Sequence, residues 1–97
     1  MENCPRINLQ FKQPMVALAG NSFGKRTFNE QVKPKITDKD DSVVIVFPDQ
    51  ITHVTASFIQ GFFSTWLREI GAEKIKDRIK IESKHERLVE YVWDNID

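Results

Sequence analysis

Asp49, His53 and Ser57 present a carboxylate, an imidazole and a hydroxyl at intervals of four residues. These are the residue types of a hydrolytic triad, in which the imidazole takes the hydroxyl proton and the carboxylate orients the ring. On a helix the spacing would align them along one face. Pro48 and the β-branched Ile51, Thr52, Val54 and Thr55 argue against a helix there. No oxyanion hole can be identified in the surrounding sequence either, so no catalytic residue is assigned and the chain is expected not to be an enzyme. Ser57 has a simpler reading. With Gln60 three residues later it fits a capping box, in which the hydroxyl accepts a backbone N–H at the helix start and contributes about 1 kcal/mol. A phosphate at that position would be stabilised by the same exposed donors and would alter the charge of a nearby binding surface. Ser57, Thr55, His53 and Asp49 are therefore the candidate partner-binding or regulatory residues.

Other constellations carry less. Gly20 to Lys25, GNSFGK, lies between an apolar segment and a helix, as a phosphate-binding loop would. It is one residue short of that motif and has Arg26 where a magnesium-binding Ser or Thr would stand, so a glycine-permitted strand-to-helix turn is expected instead. Cys4, His53 and His85 are scattered, with no paired ligand spacing, and neither a metal nor another cofactor is expected. Lys74, Lys76, Arg78 and Lys80 cluster, but Glu73, Asp77 and Glu82 interleave, as on a solvated face.

The positioning framework must come from a chain of 97 residues, 40% hydrophobic and 29% charged, which suits one small globular domain spanning 1–97. Fourteen basic residues balance fourteen acidic ones, so no overall field draws the protein to nucleic acid or to an anionic membrane. The apolar runs VVIVF and MVALAG are too short to span a bilayer. MENCPRINLQ lacks the pattern of a secretory signal, and the single cysteine permits no internal disulfide. A cytoplasmic location is expected.

Ile7, Leu9 and Phe11 alternate with polar residues as in a half-buried strand, and Met15 to Ala19 forms a second apolar segment. From Gly24 to Ile36 the spacing of Phe28, Val32 and Ile36 predicts a helix, which Pro34 must kink or shorten. Val43 to Phe47 reads as a central strand covered on both faces, followed by a loop from Asp49 to Thr55. Phe58, Ile59, Phe62, Phe63, Trp66, Leu67 and Ile70 form the apolar stripe of a long helix, with Gly71 just past its end. Ala72 to Asp77 predicts a helical turn and Ile79 with Ile81 a short strand. Ser83 and Glu86 form a second capping box before a helix bearing Leu88, Val89, Val92, Trp93 and Ile96. Strands alternating with helices predict an α/β sandwich.

The segments GKRTFNEQVKP, VVIVFPDQI, TASFIQGFF, DRIKIES and LVEYVWDNI together resemble a bacterial STAS-like family, related in outline to the anti-anti-sigma factors. The resemblance runs from about Gly24 to the C-terminus and is sharpest at Ser57-Phe58. It implies a small STAS-like sandwich, with a short mixed sheet of about four strands and helices packed on it. It also implies a non-enzymatic module that regulates another protein by binding it, often a kinase-type ATPase, under control of a phosphorylated hydroxyl at a helix start. The anti-anti-sigma phosphoacceptor position is Ala56 here, between Thr55 and Ser57, so the switch known from that group cannot operate at that residue. Phe47-Pro48 and Gln60-Gly61 likewise stand where relatives often carry acidic residues. An alternative of another class is an immunity protein or antitoxin that neutralises a toxin, for which Asp38, Asp40, Asp41 and Asp49 would supply an acidic contact surface.

Overall fold

A computed structural model describes residues 5–12, 14–36 and 42–96. The first strand, β1 (Arg6–Asn8), keeps the expected alternation, with Ile7 buried between exposed neighbours. It is shorter than the apolar alternation, which continues through Leu9 and Phe11 as irregular chain. A two-residue strand, β2 (Ala17–Leu18), leads through Gly20 into α1 (Asn21–Thr27). Gly20 takes φ 101°, a left-handed conformation open to glycine without a Cβ penalty.

The helix expected from Gly24 to Ile36 thus begins earlier, and its regular part ends before Pro34. Phe28–Val32 winds as a π-helix and Lys33–Lys35, with Pro34 in its first turn, as a 3-10 turn. Proline has no N–H to donate and crowds the preceding turn, so the chain relaxes its winding ahead of it.

The strand β3 (Val43–Val46) lies between β1 and β5 (Ile79–Glu82) in a three-stranded sheet, and both pairings are parallel. β2 pairs in parallel with β4 (His53–Val54), a short strand within the segment read from sequence as a loop. The expected α/β class holds. The pairing is parallel throughout the described residues rather than mixed, and the strands divide between a three-stranded and a two-stranded sheet. Parallel neighbours require long crossovers, and each crossover here carries helix.

Ile7, Val43, Ile45, Ile79 and Ile81 turn one face of the larger sheet into the core. The opposite face has exposed Arg6, Asn8 and Lys80, with Arg6 bonded to Glu82 at 2.6 Å across the central strand. Val44, on this second face, is still only 8% exposed, so β3 is buried from both sides at its centre but flanked by polar residues on one.

Three more helices complete the core: α2 (Ala56–Glu69), α3 (Gly71–Arg78) and α4 (Glu86–Asp94). Phe58, Ile59, Phe62, Phe63 and Trp66 of α2 are all buried, as their spacing predicts. Phe28 meets Trp66 edge-on at 4.8 Å between centroids and Phe62 at 5.8 Å. Such edge-to-face pairs add roughly 0.5–1.5 kcal/mol to the burial itself. Gly71, at φ 86°, reverses the chain between α2 and α3 as expected of a residue just past a helix end.

A glycine contact joins α1 to α2. A Cβ on Gly24 would strike the carbonyl oxygen of Phe58 and come within 2.7 Å of the Phe62 nitrogen. A Cβ on Gly61 would strike the carbonyl oxygen of Asn21. The two helix backbones meet through these reciprocal gaps. Gly24 therefore serves helix packing, not the strand-to-helix turn read from GNSFGK, which is the role of Gly20.

Candidate functional site: a groove between the second sheet and the last helix

β2 and β4 run side by side, and each passes directly into a helix, so the starts of α1 and α2 are brought together. Thr55 leaves β4 with φ −81° and ψ 158° and caps α2, its Oγ1 accepting the N–H of Phe58 at 3.3 Å. Ser57 is inside the first turn. The capping role expected of Ser57 and Gln60 belongs to Thr55, because the helix begins at Ala56 and only the residue before it has the extended backbone a cap requires. The Ser57 hydroxyl lies 3.1 Å from that of Thr55 and accepts the Gly20 N–H at 3.3 Å. The Ser57 carbonyl also accepts from Asn21 Nδ2 at 3.4 Å. Ser57 thus links the starts of the two helices. A similar shift occurs at α4: Ser83 accepts the His85 N–H at 3.0 Å, and His85 occupies the cap position.

His53 is exposed on β4, with Nδ1 2.9 Å from Thr52 Oγ1. Asp49 lies in the turn after β3. Its backbone carbonyl is 2.9 Å from His85 Nε2, which must donate because a carbonyl only accepts. Asp49, His53 and Ser57 each bond elsewhere: through a carbonyl to His85, to Thr52, and to Thr55 and Gly20, respectively. The His53 and Ser57 side chains thus contact Thr52, Thr55 and Gly20 rather than each other.

The structure assembles a different site. An open groove of about 920 Å³ separates residues 52–55 from residues 84–88 and Tyr91. Thr55 and His53 line it. Asp49 lines a neighbouring depression that shares Lys84, and Ser57 faces α1. The sequence candidates therefore separate into two groove residues, one on its flank and one behind it.

The opposite wall comes from α4 and its approach, none of which was singled out from sequence as a site. Leu88 and Val92 anchor that helix in the core. Arg87 and Tyr91, one turn apart, flank the buried stripe and face the groove, and Tyr91 is 44% exposed. Its signal in the sequence was an aromatic residue offset from the apolar stripe of an amphipathic helix. Among the described residues, no set of three His, Cys, Asp or Glu side chains is grouped to hold a metal ion, and Cys4 lies outside them.

The model of the family described as STAS-like domain of unknown function (DUF4325) matches residues 24–86. The chain belongs to this STAS-like family. The matched span runs from α1 to the first residue of α4. It holds the 52–55 wall of the groove but ends before Arg87 and Tyr91. No curated protein and no solved structure matches the chain. Among the described residues, no helix of this STAS-like domain is long and apolar enough to cross a membrane.

Proposed function

We propose that this STAS-like domain is a non-enzymatic interaction module that regulates another protein by binding it through the groove between residues 52–55 and α4. The observation that carries this reading is Tyr91, a large amphipathic side chain left exposed beside the groove into which Thr55 and His53 also open. Aromatic side chains that are exposed in the free protein and bordered by polar groups are the usual anchors of protein interfaces. Family membership supports the same reading, since STAS-like domains generally act by binding.

The regulatory element of the proposal is the Thr55–Ser57 hydroxyl pair, which joins the groove wall to the start of α1. A phosphate on either oxygen would replace that contact with a double negative charge beside the groove. A kinase-type ATPase is the partner class favoured by the STAS resemblance.

The test is affinity capture with the full chain, followed by identification of the partner. Tyr91→Ala is expected to lose the partner at least about tenfold, as interface anchors do, with an unchanged melting temperature. Retention of full binding by Tyr91→Ala would remove the groove from the proposal. Ser57→Ala and Ser57→Asp test the switch, and equal binding by both and by the parent chain would end it. Capture of a toxin, with loss of its toxicity on binding, would make the chain a neutraliser instead.

A further inference from the structure

The chemistry of the groove walls indicates what kind of segment they fit. Lys84 and Arg87 stand on the α4 side, both exposed, with the imidazoles of His85 and His53 also lining the cleft. Among the described residues, neither Lys84 nor Arg87 is held in an ion pair, and the Arg6–Glu82 pair is on the larger sheet. Among the described residues, Glu86 is the one carboxylate of the lining and forms no ion pair with these cations. On α4, Glu86 aligns with Glu90 one turn later, while Arg87 aligns with Tyr91. The cation and the exposed aromatic ring thus share a stripe that lines the groove, while Glu90, three residues beyond Arg87, does not line it. Although the whole chain has a formal net charge of zero, this cleft places cationic donors beside the exposed ring of Tyr91, with the largely buried Leu88 and Val54 beneath.

We propose that the groove receives an acidic segment of the partner protein, whose carboxylates pair with Lys84 and Arg87 while an apolar side chain packs on Tyr91. This rests on the reading of the groove as the binding surface and adds the chemical class of what it binds. Arg87 offers a planar fork suited to a carboxylate, and Lys84 a point charge on a flexible stem. Because both are exposed in the free protein, pairing sacrifices no internal ion pair and is weakened by added salt.

The probe is a set of short fluorescent peptides of Glu, Leu and Gly, with counterparts carrying Gln or Lys in place of every Glu. The acidic set is expected to bind the full chain, more weakly at high salt, and the other two sets are not. The double charge reversal Lys84→Glu with Arg87→Glu should weaken binding at least about tenfold. Lys33→Glu with Lys35→Glu, which makes the same change in net charge on the 3-10 turn outside the groove, should alter it less than about twofold. Absence of binding, equal binding of the Gln set, or equal loss in the two double variants would each overturn the assignment. The captured natural partner separates the two levels. If Tyr91→Ala releases it and the Lys84/Arg87 reversal does not, the binding surface stands and its acidic specificity falls. If neither releases it, both fall.

Discussion

At the scale of single residues, the hydroxyls at the start of α2 divide the labour between Thr55 and Ser57. Thr55 satisfies a helix N–H and Ser57 satisfies the N–H of Gly20 in the neighbouring unit. Thr55→Ala should therefore destabilise the protein by about 1 kcal/mol, with Thr55→Ser retaining most of the stability. Ser57→Ala should cost about 0.5–1.5 kcal/mol through the orphaned Gly20 N–H. Urea unfolding of the single and double variants measures both, and the double variant should fall short of the sum because the two oxygens are in contact. Purely additive losses would show that the pair does not act as a unit. At the same scale, replacing His53 and Ser57 together by Ala should abolish no hydrolytic turnover towards ester or amide substrates, since their hydrogen bonds serve Thr52, Thr55 and Gly20. A measurable hydrolysis lost in that variant would reinstate the nucleophile. The residue types at positions 49, 53 and 57 were legible from sequence, but their partners were not. A chemical type is local, whereas a hydrogen bond depends on which backbone group the fold delivers to it.

At the scale of elements, the α1–α2 crossing depends on the absence of two side chains. Gly24→Ala and Gly61→Ala each place a methyl group against a carbonyl oxygen of the facing helix, so each should destabilise by about 1–3 kcal/mol or more as the helices are pushed apart. Gly71→Ala supplies the contrast. Its added Cβ meets nothing within 4 Å, and its cost comes only from the left-handed backbone, about 1–2 kcal/mol. Thermal or urea melts distinguish the two cases when Gly71→Asn is included, because asparagine tolerates that backbone and should recover stability.

The larger sheet has its own test. Arg6 reaches over β3 to Glu82, and this hydrogen bond, with the Arg6 charge and that of Lys80 adding to it, holds the Glu82 carboxyl below its ordinary value. A carboxyl lowered in the folded state contributes stability that is complete above the unfolded glutamate range and is lost as the pH falls through the folded value. Arg6→Ala should move the Glu82 titration upwards, read by the NMR shift of its carboxyl carbon, and flatten that acid dependence. The stability change itself should be small, since the pair is open to solvent. An unmoved titration would mean that the pair does not persist in solution.

At the scale of the whole molecule, the groove exists only because β4 and α4 meet. Residues 52–55 and 84–91 are separated by α2, α3 and β5 in sequence, and the core positions of Leu88 and Val92 set the face that α4 turns outward. If this is the binding surface, variants there should separate function from stability. Tyr91→Ala and Arg87→Glu should leave the melting temperature within a few degrees of the parent while weakening the partner, and Phe62→Ala should lower stability by about 3–5 kcal/mol. Parallel melts and binding isotherms would show the separation. A large loss of stability in Tyr91→Ala would reassign that ring to packing.

The sequence by itself determined the α/β class, the buried stripe of α2, the place of Val43–Val46 as a strand and the turn at Gly71. These depend on periodicity and backbone permissiveness over a few residues, which any local stretch displays. It also singled out the hydroxyl and imidazole groups of Thr55 and His53, in a segment expected to be a loop. Only the tertiary structure decided that the strands pair in parallel in two sheets, that Thr55 rather than Ser57 is the cap, and that Gly24 and Gly61 are contact points. It alone brought Tyr91 and its neighbouring cations opposite Thr55 and His53. Apart from the cap, which follows from where α2 begins, each of those features is a distance between segments remote in the chain, and such distances are set by how the apolar faces pack together, not by the composition of any one of them.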